Sequence, residues 1–118
     1  MIYLDTSIIA PFYWKEPLSN TVEELMRSQV ELGLSQLVKV ELISALSRRV
    51  RMREIPQEAA RAIANRFQAH LNQDFYLIFP LESVHYQLAR NWIGRFNTPF
   101  RTLDALHLAC ASSNNLIF

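Results

Sequence analysis

The sequence predicts an α/β fold, a mainly parallel sheet flanked by helices, with helix dominating by residue count. Short apolar segments alternate with longer segments of helical periodicity, which is typical of this class. Half of the 118 residues are hydrophobic and only 19% are charged, so the chain can build a core and is too apolar to be disordered. The length fits one domain, residues 1–118.

Four short apolar segments are predicted as strands: residues 2–4, 32–35, 75–79 and 116–118. The first ends at Asp5, and the third is stopped by Pro80. Strands that alternate with helices pair in parallel, and the sites of such sheets lie at the carboxyl ends of the strands.

Six helices are predicted between and after these strands. The first covers residues 8–14, with Thr6 and Ser7 as caps and with Pro11 tolerable only near the first turn. The others follow Ser19 or Asn20, cover residues 37–53, begin at Pro56, contain residues 88–96, and run from Thr102 to about Ser113. Trp92 and Phe96 share an apolar periodicity, so both are predicted in the core.

Composition excludes several classes of protein. The formal charge of +1 argues against a strongly basic nucleic-acid binder, although ten arginines against two lysines weakly favour phosphate contacts. The single cysteine, Cys110, excludes an intramolecular disulfide framework and fits a reducing cytosol. No signal peptide or membrane span is visible, so we expect a soluble cytoplasmic protein.

Three carboxylates lie in unusual surroundings. Asp5 follows a predicted buried strand, and Glu41 has small or apolar neighbours three and four residues away. Between residues 103 and 111 only Asp104 and His107 are polar, which predicts a buried helix with one polar stripe. The structural alternatives are a helix cap for Asp5, an exposed helix edge for Glu41 and a first-turn acid for Asp104. For His107 we expect a core histidine with a hydrogen-bond partner.

Taken together, these acids suggest a site for a hard cation, Mg²⁺ or Mn²⁺, because such ions prefer oxygen ligands. An ion of this kind can activate water and neutralise charge on a phosphodiester. The three histidines lack zinc spacing, and neither a phosphate-binding P-loop nor a serine nucleophile elbow is present.

Three motifs resemble the PIN-domain family, and more narrowly its VapC-type toxin ribonucleases. They are Tyr-Leu-Asp-Thr-Ser at 3–7, Val-Glu-Leu at 40–42 with the preceding Ser35 and the following Ser-Ala-Leu at 44–46, and Leu-Asp-Ala-Leu-His-Leu-Ala at 103–109. They occur in the family's order and span nearly the whole chain.

The resemblance implies a Rossmann-like PIN fold and Mg²⁺- or Mn²⁺-dependent endoribonuclease activity on single-stranded or structured RNA. It implies that Asp5, Glu41 and Asp104 hold the metal and that Thr6 orients the first acid. It also implies a homodimer and a cognate antitoxin across the active-site groove. A further family acid would follow the strand at 116–118. Its absence suggests a truncated C-terminal end or a single ion per protomer.

Arginines cluster on the helix that carries Glu41, and Arg101 precedes Asp104. They are either a solvated helix end or an RNA-phosphate track in which Arg48, Arg49 and Arg101 take part. Phe100 and the aromatic run at residues 12–14 are core or partner-binding residues.

Two alternatives to a ribonuclease remain open. One is an inactive or RNA-processing PIN-like module that acts by binding RNA or protein. The other is a phosphoacceptor domain, for which Lys15 and Lys39 are poorly placed.

Overall fold

The computed structural model describes residues 1–17, 19–28 and 31–114. Its elements are β1 (Ile2–Tyr3), α1 (Thr6–Tyr13), α2 (Ser19–Arg27), β2 (Leu32–Ser35), α3 (Gln36–Arg51), α4 (Gln57–Asn72), β3 (Leu77–Phe79), α5 (Ser83–Ile93) and α6 (Thr102–Ser113). This is the predicted α/β class. The strand predicted at residues 116–118 lies outside the described residues.

The three described strands form one parallel sheet with β2 in the middle. Tyr3 pairs with Gly33 at one side of β2, and Ser35 pairs with Phe79 at the other. Because the strands are parallel, all three carboxyl ends lie at one edge of the sheet, and α1 and α3 begin there.

The core lies on both sides of the sheet. On one side α3 buries Val38, Leu42 and Leu46, spaced four residues apart as one helix face. On the other, α6 is buried between Ala105 and Ala111, apart from the half-buried Leu108, and it contacts β1 through Tyr3, Cys110 and Ala111. The prediction of a buried sixth helix is therefore confirmed for its middle and wrong for its first turn and its last two residues.

Helix α1 begins earlier than predicted. Asp5 is its N-cap, so the caps predicted at Thr6 and Ser7 are wrong. Pro11 lies in the helix interior rather than in the first turn. A proline there has no backbone N–H and cannot donate a helix hydrogen bond. Pro11 is nonetheless buried, in a helix that is only eight residues long.

Other boundaries also differ from prediction. Strand β3 begins at Leu77, because Phe75 and Tyr76 pack in an aromatic cluster with Phe67 and His70 instead of extending the strand. Helix α5 begins at Ser83 and ends at Ile93, which leaves Phe96 in the following loop with 92% of its surface exposed. The prediction of Phe96 as a core residue is wrong. Within the described part of the chain, no helix is both long and apolar enough to cross a bilayer.

Candidate active site

Asp5 lies at the carboxyl edge of the sheet, where β1 gives way to α1. Its Oδ1 accepts hydrogen bonds from the backbone of Ile8 at 3.2 Å and from the hydroxyl of Ser7 at 2.7 Å. These two bonds satisfy a helix N-terminus and fix the carboxylate. The capping alternative is therefore correct, and it engages only one of the two oxygens.

Glu41 lies in the second turn of α3, and its side chain is 20% exposed. The hydroxyl of Thr6 donates to Oε1 at 2.8 Å, and Nε2 of His107 lies 2.6 Å from the same oxygen. Thr6 was predicted to orient Asp5, and that prediction named the wrong acid. A largely buried carboxylate requires such partners, so Glu41 is not simply an exposed helix edge.

His107 is 4% exposed and connects Glu41 to β1, which confirms the prediction of a core histidine with a hydrogen-bond partner. Its Nδ1 lies 2.6 Å from the hydroxyl of Tyr3. Burial raises the pKa of the Tyr3 phenol, so the hydroxyl stays protonated and donates to Nδ1. The proton of a neutral imidazole then sits on Nε2, which donates to Glu41.

The two donors decide the ionisation of Glu41. Burial alone would raise the pKa of this carboxyl, but the hydrogen bonds from His107 and Thr6 outweigh burial and lower it. Glu41 is therefore ionised at neutral pH. Its Oε1 faces the protein's own donors, and the hydrogen bonds of the described residues leave Oε2 available.

Asp104 lies in the first turn of α6 and is exposed, so the reasoning that placed it in a fully buried helix is wrong. Residues 102–104 are all exposed, and burial begins at Ala105. One oxygen of Asp104 accepts a long hydrogen bond, 3.4 Å, from the backbone of Arg101. His107 lies three residues later on the same side of the helix.

The fold thus joins the Asp5–Thr6 segment, Glu41 and His107 by direct hydrogen bonds, with Asp104 one turn before His107. Carboxylate oxygens suit Mg²⁺ and Mn²⁺, and each acid keeps an oxygen that these bonds do not engage, so the donor chemistry fits such an ion. As the side chains stand, no three His, Cys, Asp or Glu residues in the described ranges form a ready metal site.

Sequence reasoning missed Tyr3 and Ser7. Tyr3 is 2% exposed in a strand, and a buried phenol needs a polar partner, which was the available signal. Nothing local identifies that partner, because His107 is 104 residues away.

The predicted RNA-binding arginines have different surroundings. Arg48 and Arg101 are exposed. Arg49 is only partly exposed: its guanidinium lies 3.3 Å from Glu54 and 3.8 Å from Glu16, and it stacks over Trp14 at 5.4 Å. Arg48 follows Glu41 by seven residues of α3, about 10 Å along the helix axis.

The family model of the PIN domain matches residues 2–118. No curated protein sequence matches the chain.

Three solved structures have a similar fold. The toxin VapC20 of Mycobacterium tuberculosis, which cleaves the sarcin–ricin loop, is 20% identical with a TM-score of 0.77 over 98% of this chain and 85% of that one. VapBC2 of Rickettsia felis, bound to a fragment of its promoter DNA, is 21% identical with a TM-score of 0.66. FitAcB of Neisseria gonorrhoeae is 19% identical with a TM-score of 0.69. The last two similarities each cover 98% of this chain and 84% of the other.

Proposed function

This chain belongs to the PIN domain family, and from that membership we propose that it is a metal-dependent endoribonuclease, the toxin of a toxin–antitoxin pair. The observation that carries the proposal is the ionised, largely buried Glu41, which Thr6 and His107 hold beside the Asp5 cap. Two donors bind one oxygen of this carboxylate, and its second oxygen is available. Such a carboxylate is suited to binding a cation rather than to stabilising a helix end.

We assign Asp5, Glu41 and Asp104 as the residues that would hold Mg²⁺ or Mn²⁺. When bound, the ion supplies an activated water and neutralises negative charge on the phosphodiester. The chain's own contribution is orientation. Thr6 and His107 hold Glu41, Ser7 and the backbone of Ile8 hold Asp5, and Asp104 is exposed and weakly held, so its side chain can turn toward an ion.

The substrate we propose is single-stranded or structured RNA. One structural neighbour cleaves the sarcin–ricin loop, an RNA structure, which supports this substrate class. Arg101, three residues before Asp104, and Arg48, one heptad beyond Glu41, are exposed cations, and we propose that they contact RNA phosphates near the acids. We keep Arg49 as a weaker candidate, because it already pairs with two glutamates.

The proposed partner is a cognate antitoxin, since two structural neighbours are toxin–antitoxin proteins by name. We also propose a homodimer and a cytoplasmic location. An inactive PIN-like module that only binds RNA or protein remains the second candidate. Unlike the proposed nuclease, such a module would not cleave RNA.

The test is the substitution Asp104→Asn, with Asp74→Asn as its matched control. Both replace an exposed aspartate at nearly constant volume, and Asp74 lies two residues after the end of α4, outside the site. With a labelled sarcin–ricin-type hairpin RNA and Mn²⁺, we expect cleavage by wild type and by Asp74→Asn, loss of cleavage in Asp104→Asn, and loss in EDTA. Cleavage by wild type in EDTA would refute the metal dependence, and RNA binding without cleavage would favour the inactive module.

A further inference from the structure

A pocket of about 220 Å³ lies between the end of α5, the loop at residues 94–101 and the second turn of α6. Its lining consists of Trp92, Arg95, Asn97, Thr98, Phe100 and Leu108. The hydrogen bonds of the site described above use none of these side chains. Asp104 precedes Leu108 by four residues, so this lining residue lies about one helical turn, roughly 6 Å along the axis, beyond that acid.

The lining has the chemistry that recognises an unpaired nucleobase. Trp92 and Phe100 contribute two aromatic rings, a group on which bases can stack, and the amide of Asn97 has a donor and an acceptor for a base edge. Arg95 supplies positive charge, and no acidic residue lines the pocket. Among the residues that the structure describes, neither Asn97 nor Arg95 has a side-chain hydrogen bond or ion pair that would compete with a ligand.

Phe96 lies in the same loop, and its conformation and exposure also favour base binding. Its φ of 55° is left-handed, a conformation that costs a bulky residue free energy and that glycine or asparagine usually fills. The left-handed backbone itself has a structural role, because the amide of Phe96 donates to the carbonyl of Ile93 and ends α5. That role needs no aromatic side chain, yet the ring is 92% exposed to water.

We propose that the pocket binds one unpaired base of the RNA substrate beside the cleaved phosphodiester, with Phe96 stacking on the adjacent base. This inference rests on the proposed function and adds a base-binding subsite to it. The charge favours RNA over a second protein, because Arg95 and the neighbouring Arg101 complement a polyanion. Stacking inside the pocket would let the base next to the cut influence which sites are cleaved.

The experiment separates the contribution of the base to binding from the contribution of the phosphates. Pentaribonucleotides carry A, C, G or U at the centre between abasic units, and a fully abasic pentamer has the same charge. Binding is measured in EDTA by fluorescence anisotropy, so it does not depend on cleavage. For wild type we expect at least one base to improve affinity about tenfold or more over the abasic pentamer, as base–aromatic stacking does.

Phe100→Ala should remove most of this advantage and leave abasic binding unchanged. Tyr86→Ala is the matched control, because it also deletes an exposed aromatic ring, 54% exposed against 39% for Phe100, but one near the start of α5. It should keep the full advantage. Circular dichroism and melting curves confirm that both variants are folded.

Two outcomes would overturn the proposal. The first is equal affinity of wild type for the abasic pentamer and for all four base-bearing ones. The second is an undiminished advantage in folded Phe100→Ala; if that variant also changed the oligomeric state or the binding of the antitoxin, the pocket would belong to a protein interface. Neither outcome bears on the proposed nuclease activity, which is read separately by hairpin cleavage with Mn²⁺.

Discussion

Replacing His107 tests whether Glu41 depends on the hydrogen-bonded chain behind it. In His107→Leu the core keeps a side chain of comparable size, but Glu41 loses the donor at 2.6 Å and, among the described residues, keeps Thr6 as its side-chain donor. In His107→Gln an amide NH₂ can still donate toward Glu41. The two variants therefore differ in the hydrogen bond much more than in packing.

The structure sets the size of the effect. His107 is 4% exposed, and the acceptor is a carboxylate, so the bond belongs to the charge-assisted class, which contributes about 1.5–3 kcal/mol. We expect His107→Leu to lower the free energy of unfolding by about 2 kcal/mol, which corresponds to roughly 8 °C in melting temperature for a domain of this length. The loss in His107→Gln should be about half of that or less.

Activity should follow the same order. Groups that orient a metal-binding side chain typically change activity by about 10- to 100-fold when they are removed, so kcat of His107→Leu on the hairpin RNA should fall within that range. Because His107 is buried and cannot contact RNA, KM for the RNA should change little. We expect His107→Gln to recover most of kcat.

Melting curves and single-turnover cleavage with Mn²⁺ measure the two effects. A kcat of wild-type size in folded His107→Leu would refute the positioning role. An equal loss of kcat in both variants would show that the imidazole is needed for its shape and not for the hydrogen bond to Glu41.

Three further predictions concern other parts of the molecule. Arg101→Ala should reduce the slope of log affinity for RNA against log salt by about one, the loss of one phosphate contact. Arg27→Ala, which removes another exposed arginine, should leave the slope unchanged. Equal slopes for the two variants would exclude Arg101 from the RNA surface. Burial and the charge of Arg66 lower the pKa of His70, so His70 contributes stability that is complete above about pH 6.5 and is lost as pH falls through the lowered pKa. Denaturant titrations should show a shallower decline below pH 6.5 in His70→Gln, and an unchanged decline would assign it to other groups. Phe96→Asn should raise the melting temperature by about 3 °C, because asparagine tolerates the left-handed backbone, and it should weaken RNA binding; a lower melting temperature would show that the exposed ring packs against the protein.

Local patterns in the sequence determined the fold class and most of the elements. The spacing of Val38, Leu42 and Leu46 predicts the buried face of α3, and the apolar segment 32–35 corresponds to β2 as observed. These predictions succeed because helix and strand periodicities are properties of neighbouring residues. Phe96 shows the limit, since its period matches a helix that ends three residues before it.

The sequence also marked Asp5, Glu41 and Asp104 as unusual carboxylates, but only the tertiary structure decided what surrounds each of them. Asp5 caps α1, Glu41 receives two donors, and Asp104 is exposed, although its segment predicts a buried helix. The chain of bonds from Tyr3 through His107 to Glu41 joins residues at positions 3, 41 and 107. No local pattern encodes contacts across such separations, because the packing of β1, α3 and α6 against one another brings these side chains within hydrogen-bonding distance.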